Sequence, residues 1–344
     1  MRICSFILAT LLSSISAFAQ SGGTTADCGS CHRANAISQP LTQMGQAMQL
    51  PGRNEILRTH PKMTFHRGGY FYTVETLNGT TQYIVSDGSH SISISVLWSM
   101  GAQAQTWVLE HGGRLYESLV SYYPDIHGLD VTAGDDRIHP ASLEEAIGKP
   151  LDNQRVTACF GCHATHAVID NKLNLASLHP GVGCEHCHTG AMEHNDAMLR
   201  GDTAILPPDL RSLSSEEISD FCGRCHRTWE LVVRSHWRGP SNVRFQPYRL
   251  ALSKCYDGND PRISCLACHD PHVSVVRDAS YYDSKCLACH SAKASLSRSH
   301  AKICPVARTK CTSCHMPKVS IAGGHLVFTD HDIRIVKPGE PYPF

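Results

Sequence analysis

Residues 159–163 read Cys159-Phe160-Gly161-Cys162-His163. A second passage follows at Gly181-Val182-Gly183-Cys184-Glu185-His186-Cys187-His188. Both contain Cys-x-x-Cys-His, and five more copies occur in the 344 residues: Cys28-Cys31-His32, Cys222-Cys225-His226, Cys265-Cys268-His269, Cys286-Cys289-His290 and Cys311-Cys314-His315. With 17 cysteines and 22 histidines, composition alone would supply about 0.05 such motifs. In chain order they are motifs 1 to 7.

The spacing has a chemical reason. Two thiols separated by two residues reach the two vinyl groups on one edge of a porphyrin and form thioethers. The next residue then lies over the ring, where an imidazole binds iron as the proximal ligand. Zinc ribbons also use Cys-x-x-Cys pairs, and exported proteins use disulfides, but neither requires a histidine after every second cysteine. The sequence therefore predicts seven covalently attached c-type haems. They would be held by Cys28, Cys31, Cys159, Cys162, Cys184, Cys187, Cys222, Cys225, Cys265, Cys268, Cys286, Cys289, Cys311 and Cys314. The proximal ligands would be His32, His163, His188, His226, His269, His290 and His315.

Export follows from the start of the chain. Arg2 precedes an apolar run from Ile3 to Leu12, and Ala17-Phe18-Ala19 stands before Gln20. That is the pattern of a signal peptide, here residues 1–19, giving a periplasmic or otherwise exported product. No later apolar stretch is long enough for a transmembrane span. Once the leader is removed, only Cys255 and Cys304 lie outside the motifs, and an oxidising compartment favours one disulfide between them. Formal net charge is zero, which gives no basic field for nucleic acid. Seven haems would add roughly 14 propionate charges, making the loaded protein acidic and attractive to basic redox partners.

The motifs are unevenly spread. Motif 1 belongs to an N-terminal segment, 20–61, while motifs 2 to 7 crowd into residues 155–344. Six porphyrins there exceed what the polypeptide can bury separately, so the haems form much of the core. Between the two parts, residues 62–123 alternate in strand fashion. The expected strands are Tyr70–Val74, Gln82–Val85, Ser91–Leu97, Thr106–Glu110 and Leu115–Tyr122, with hairpin signals at Asn78-Gly79, Asp87-Gly88 and Gly112-Gly113. Residues 124–154 read as a linker with one short helix, since Ser142 with Glu145 has capping-box spacing. Ser214 with Glu217 has the same spacing and places motif 4 at a helix end. The expected fold is a mainly irregular and α-helical multihaem cytochrome c fold with a packed haem core. It carries an inserted small antiparallel β meander and is α+β overall.

Seven further ligands are needed if every iron is six-coordinate. The candidate distal histidines are His60, His194, His272, His325 and His331, then His300, His179 and His166. His66, His90, His111, His127, His139, His186 and His236 are weaker. Met44 and Met48 are the competing ligands near motif 1 and would raise its potential.

Three stretches carry a family resemblance: Cys159–Thr165, Gly181–His188 with His194 beyond it, and Cys311-Thr312-Ser313-Cys314-His315-Met316-Pro317-Lys318 followed by Gly324-His325 and Thr329-Asp330-His331. Over roughly residues 155–335 the chain resembles the cytochrome c-552/4 class of multihaem proteins. That class includes the tetrahaem electron acceptor of hydroxylamine oxidoreductase and shares haem packing with octahaem enzymes and pentahaem nitrite reductases. The resemblance implies distal roles for His194, His272, His325 and His331. It departs from the class in having seven motifs and a β insertion. It also lacks the proximal lysine of the nitrite reductases, which speaks against nitrite reduction.

The expected function is electron transfer between redox partners, either donor and acceptor cytochromes or a quinol-linked membrane complex. The alternative is an oxidoreductase acting on a small nitrogen or sulfur compound at one open haem, with Tyr122, Tyr123, His127 and Arg137 as candidate pocket residues. A third reading, a polymerising conductive assembly, rests on haem density alone.

Overall fold

The computed structural model describes residues 28–102, 104–291, 303–321, 323–337 and 339–343. The expected signal peptide, residues 1–19, and His300 therefore lie outside the described residues.

One large antiparallel sheet dominates the first half. Its strands are β1 (Met48–Gln49), β2 (Lys62–Arg67), β3 (Tyr70–Leu77), β4 (Thr80–Ser86), β5 (Ser91–Met100), β6 (Thr106–His111), β7 (Arg114–Ser118) and β10 (Gly148–Pro150). Their order is β10-β7-β6-β5-β4-β3-β2, with β1 paired to the end of β5. Asn78 and Gly79 both have positive φ, 51° and 79°, as the tight β3–β4 turn requires. Alternation points one face inward: Tyr72 and Val74, Tyr83 and Val85, Ile94 and Val96, and Trp107 and Leu109 share one buried cluster. Leu57, Ala146 and Ile147 from flanking helices complete that cluster.

The sheet extends past residues 62 and 123, because β1 and β10 come from either side of that range. The expected strand Leu115–Tyr122 is also broken. Ser118 Oγ accepts from Trp107 N at 3.0 Å and donates to Val120 O at 2.8 Å, and Leu119 N donates to Ile147 O. The chain turns there, and β8 (Val120–Tyr123) pairs instead with β9 (Gly128–Val131).

Short helices carry the motifs. Motif 1 opens with a 3₁₀ turn at Cys28–Ser30 and is followed by α1 (Arg33–Ser38); α2 is Glu55–Thr59 and α3 is Leu143–Ile147. Motif 2 ends α4 (Asn153–His163), motif 3 forms α5 (Cys184–Cys187), and α6 (Ala191–Leu199) follows. Motif 4 ends α7 (Ser215–His226), before α8 (Trp229–Arg234) and α9 (Gln246–Ala251). Motif 5 forms α10 (Cys265–Cys268), motif 6 ends α11 (Ala279–His290), and motif 7 forms α12 (Cys311–His315). Among the described residues no helix is long and apolar enough to cross a membrane.

A second apolar cluster joins the sheet to this half. Met48, Met100 and Val108 pack on Val156, Phe160, Ala164 and Ala167, and Trp98 meets the Phe160 ring edge-on at 5.4 Å. Met48 is thereby spent on packing, with 1% of its surface exposed. The contacts fix α4, and motif 2 with it, against the sheet.

Candidate haem-binding site

A helical turn brings residues i, i+3 and i+4 to one face. That is the spacing of the two cysteines and the histidine, so each helical motif presents both thiols and the imidazole together. The turn is closed by backbone bonds such as His188 N to Cys184 O at 2.9 Å and His269 N to Cys265 O at 2.8 Å.

Three histidines lie across from motif imidazoles. Ring centroids are 6.4 Å apart for His32 and His194, 6.1 Å for His188 and His272, and 6.3 Å for His269 and His331. Two imidazoles bound to opposite faces of one metal through bonds of about 2 Å have centres roughly 6 Å apart. The donor sets therefore fit haem iron at motifs 1, 3 and 5.

The ring nitrogens are arranged for the same task. Nδ1 of His194 bonds to Ile205 O at 2.7 Å, that of His331 to Thr329 O at 3.0 Å, and that of His272 to Asp270 Oδ1 at 3.0 Å. Nδ1 of His163 bonds to Ala47 O at 3.0 Å and that of His315 to Arg334 O at 2.9 Å. With Nδ1 donating, Nε2 keeps the free lone pair that a metal needs. Burial, reinforced by neighbouring His269, pushes the His331 imidazolium down to about 4, so the ring is neutral.

His331 is held by a buried ion network. Arg249 grips Asp330 with two bonds, 2.8 and 2.9 Å, and reaches Asp332 at 3.2 Å. Arg334 adds a 2.7 Å bond to Asp330, and Ser253 Oγ donates to His331 O at 3.0 Å. Arg249 is 1% exposed and Asp330 fully buried.

Other candidates sit differently. His60 Nε2 is 3.3 Å from Tyr122 Oη, and His325 Nε2 is 2.7 Å from Asp130 Oδ2 with its ring against Tyr123. Both are thus engaged by residues of the β region. His179 bonds Ser177 O through Nδ1 and has its ring 6.1 Å from His166, which pairs with Glu185. His66 packs on Phe71 and His111 on Tyr116 within the sheet, and His90 lies beside Asp87 in the turn between β4 and β5. The expected disulfide is absent: Cys255 and Cys304 are free thiols. Burial pushes the Cys255 thiol up, while backbone N–H groups of Ala307 and Val306 hold the Cys304 thiol down.

The motifs are neighbours in space in an order the sequence does not reveal. Cys28 and Cys184 are near enough to perturb each other's thiols, as are Cys162 and Cys225, Cys222 and Cys265, and Cys286 and Cys311. Cys187 is close enough to push the Cys222 and Cys225 thiols up, and the helix of motif 5 contacts that of motif 6. Motif 1 thus adjoins 3, and motif 4 adjoins 2, 3 and 5; motif 5 leads to 6, and 6 to 7.

Specific bonds set these juxtapositions. Gln39 Nε2 donates to Val182 O at 2.6 Å and Val182 N to Met44 O at 3.0 Å, sewing motif 1 to motif 3. Asp283 accepts from Lys310 N and Cys311 N at 2.7 and 2.8 Å, fixing motif 7 on the helix of motif 6.

Between motifs 2 and 4 lies a cavity of about 610 Å³, lined in part by His163, Cys225, His226 and His236. His226 is solvent-exposed and lines this open space, while the packing around it holds its imidazolium below the usual range. Tyr122, Tyr123, His127 and Arg137 do not line it; Tyr122 and Tyr123 are buried against the β region. His236 is among the weaker candidates by sequence, because a lone histidine between Ser235 and Trp237 carries no local signal of a site.

A family described as "Cytochrome c554 and c-prime" matches residues 135–189, the stretch that holds motifs 2 and 3. The match supports a c-type cytochrome with covalently bound haem, acting in electron transfer with redox partners. No curated protein and no solved structure matches the chain.

Proposed function

We propose that the chain is an exported heptahaem c-type cytochrome that relays single electrons between redox partners. His194, His272 and His331 serve as the distal ligands of the haems at motifs 1, 3 and 5. The observation that carries the reading is the contiguity of the motifs. The helices of motifs 4 to 7 contact one another in turn, and the segment after motif 1 is bonded to the one before motif 3. Cys162 Sγ of motif 2 meets Arg224 O within motif 4 at 3.9 Å, and Cys187 of motif 3 is near enough to perturb the motif 4 thiols. The cofactor supplies the redox chemistry when bound. The chain's own residues fix the spacing, ligation and burial that tune it. Cys31 and Cys314, at the two ends of the long path, are the motif cysteines most open to solvent, which makes motifs 1 and 7 the natural ports for partners.

The test is to inject less than one electron per chain by flash photoreduction and follow the haem bands. A relay predicts redistribution over several haems after the first reduction step, at a rate independent of protein concentration. Haems that exchange electrons only through collisions between molecules would contradict it.

A further inference from the structure

The cavity between motifs 2 and 4 is strongly cationic. Its wall includes Arg227, Arg238 and Arg244 with His236, and it has no carboxylate. Arg227 directly follows His226, Arg238 lies beyond α8, and Arg244 ends a 3₁₀ turn at Pro240–Arg244. Among the described residues none of the three guanidiniums forms an ion pair. Arg227 Cζ lies over the Trp237 ring at 5.7 Å and Arg244 Cζ over the Phe245 ring at 5.4 Å. All three line the cavity.

Like charges facing one space repel, and no protein group here offsets them. Arg227 itself holds the Arg244 guanidinium below its usual range, after burial. Arg227 and His236 also adopt left-handed backbone, at φ 71° and 52°. Neither residue favours that conformation, and such strain collects at ligand sites. The loop is nevertheless well held: Asn242 Nδ2 donates to Trp237 O at 2.8 Å, and Trp237 N to Val232 O at 3.2 Å.

We propose that Arg227, Arg238 and Arg244 form an anion clamp in this cavity, with a carboxylate-like oxyanion as its ligand. The guanidinium fork matches two oxygens of such a group, which a point charge does not. The oxyanion has two possible sources: a propionate of a haem held at motif 2 or 4, or a small diffusible oxyanion entering past the exposed Trp237 and Arg238. The proposal rests on haem being bound at those motifs.

The experiment uses the haem-loaded chain and its Arg238→Gln, Arg244→Gln and Arg238→Lys variants, each first checked for seven haems. Midpoint potentials are measured by spectroelectrochemistry, and nitrite and sulfite are titrated separately by Soret difference spectra. With a propionate ligand, one haem potential falls in the Gln variants without added anion, because a nearby positive charge that favoured reduction is gone. The Lys variant then recovers most of that shift. With a diffusible ligand, nitrite or sulfite gives a saturable spectral change in the parent protein, weakened roughly tenfold or more in each Gln variant. Unchanged potentials in all variants, together with no saturable response to either anion, would overturn the clamp. Failure of the haem reading is seen separately, as thiols at Cys159 or Cys222 open to alkylation before any arginine is changed, and the clamp falls with it.

Discussion

A histidine's role in this chain is set by which ring nitrogen its neighbours occupy. His194, His272 and His331 have Nδ1 tied to an oxygen and their rings 6.1 to 6.4 Å from a motif imidazole, whereas His60 and His325 have Nε2 taken by Tyr122 and Asp130. Replacing His194, His272 or His331 by alanine therefore converts one low-spin haem to high-spin in each case. His60→Ala and His325→Ala leave the low-spin count unchanged. Low-temperature EPR with haem quantification checks this. A high-spin signal from His325→Ala, or none from His331→Ala, would contradict it. Sequence spacing named all five histidines but could not separate them, because the distinction depends on carbonyls and carboxylates far away in the chain. Asp130 is 195 residues from His325.

Elements act here as mounts for the motifs, and each mount has an identifiable fastening. The box at Ser214 and Glu217 is complete, with bonds of 3.2 and 2.7 Å, so Ser214→Ala should cost about 1 kcal/mol of stability. The Arg249–Asp330 pair is buried. Arg249→Ala leaves carboxylates uncompensated and should cost about 3–5 kcal/mol, with Arg334 limiting the loss. Denaturant unfolding followed in the Soret band measures both, and an Arg249→Ala protein as stable as its parent would remove the network's positioning role. Gly181, at φ 86°, has no room for a Cβ because Gly45 O occupies that position. Gly181→Ala should therefore loosen the seam between motifs 1 and 3 and lower the thermal midpoint.

The hairpin at Asn78-Gly79 and the alternation through Ile94 and Val96 were legible because turn chemistry and period-two burial are local properties. Lys62–Arg67 was not, since charges at both ends leave only Met63 and Phe65 to mark a strand. β1 and β10 are too short to show any period, and their pairing is decided by tertiary packing.

For the whole molecule, the seven motifs read as a linear list, but in space they form a branched path that centres on motif 4. Chain order hides this, because motif 1 reaches motif 3 across the 39–48 and 181–183 segments and motif 2 is carried by the sheet. The apoprotein's zero net charge is also misleading. Propionates of the proposed haems would make the loaded protein acidic, so reduction by a basic cytochrome should slow as ionic strength rises, while reduction by a neutral small mediator should not. Equal salt dependence for the two would argue against electrostatic docking.

All of this depends on covalent haem at every motif. The decisive measurement is the haem-to-chain ratio of protein made with a c-type maturation system, by pyridine haemochrome, together with thiol alkylation under denaturing conditions. Seven haems, with only Cys255 and Cys304 alkylated in the mature chain, is the predicted result. A ratio well below seven, with motif cysteines free to alkylate, would contradict the account.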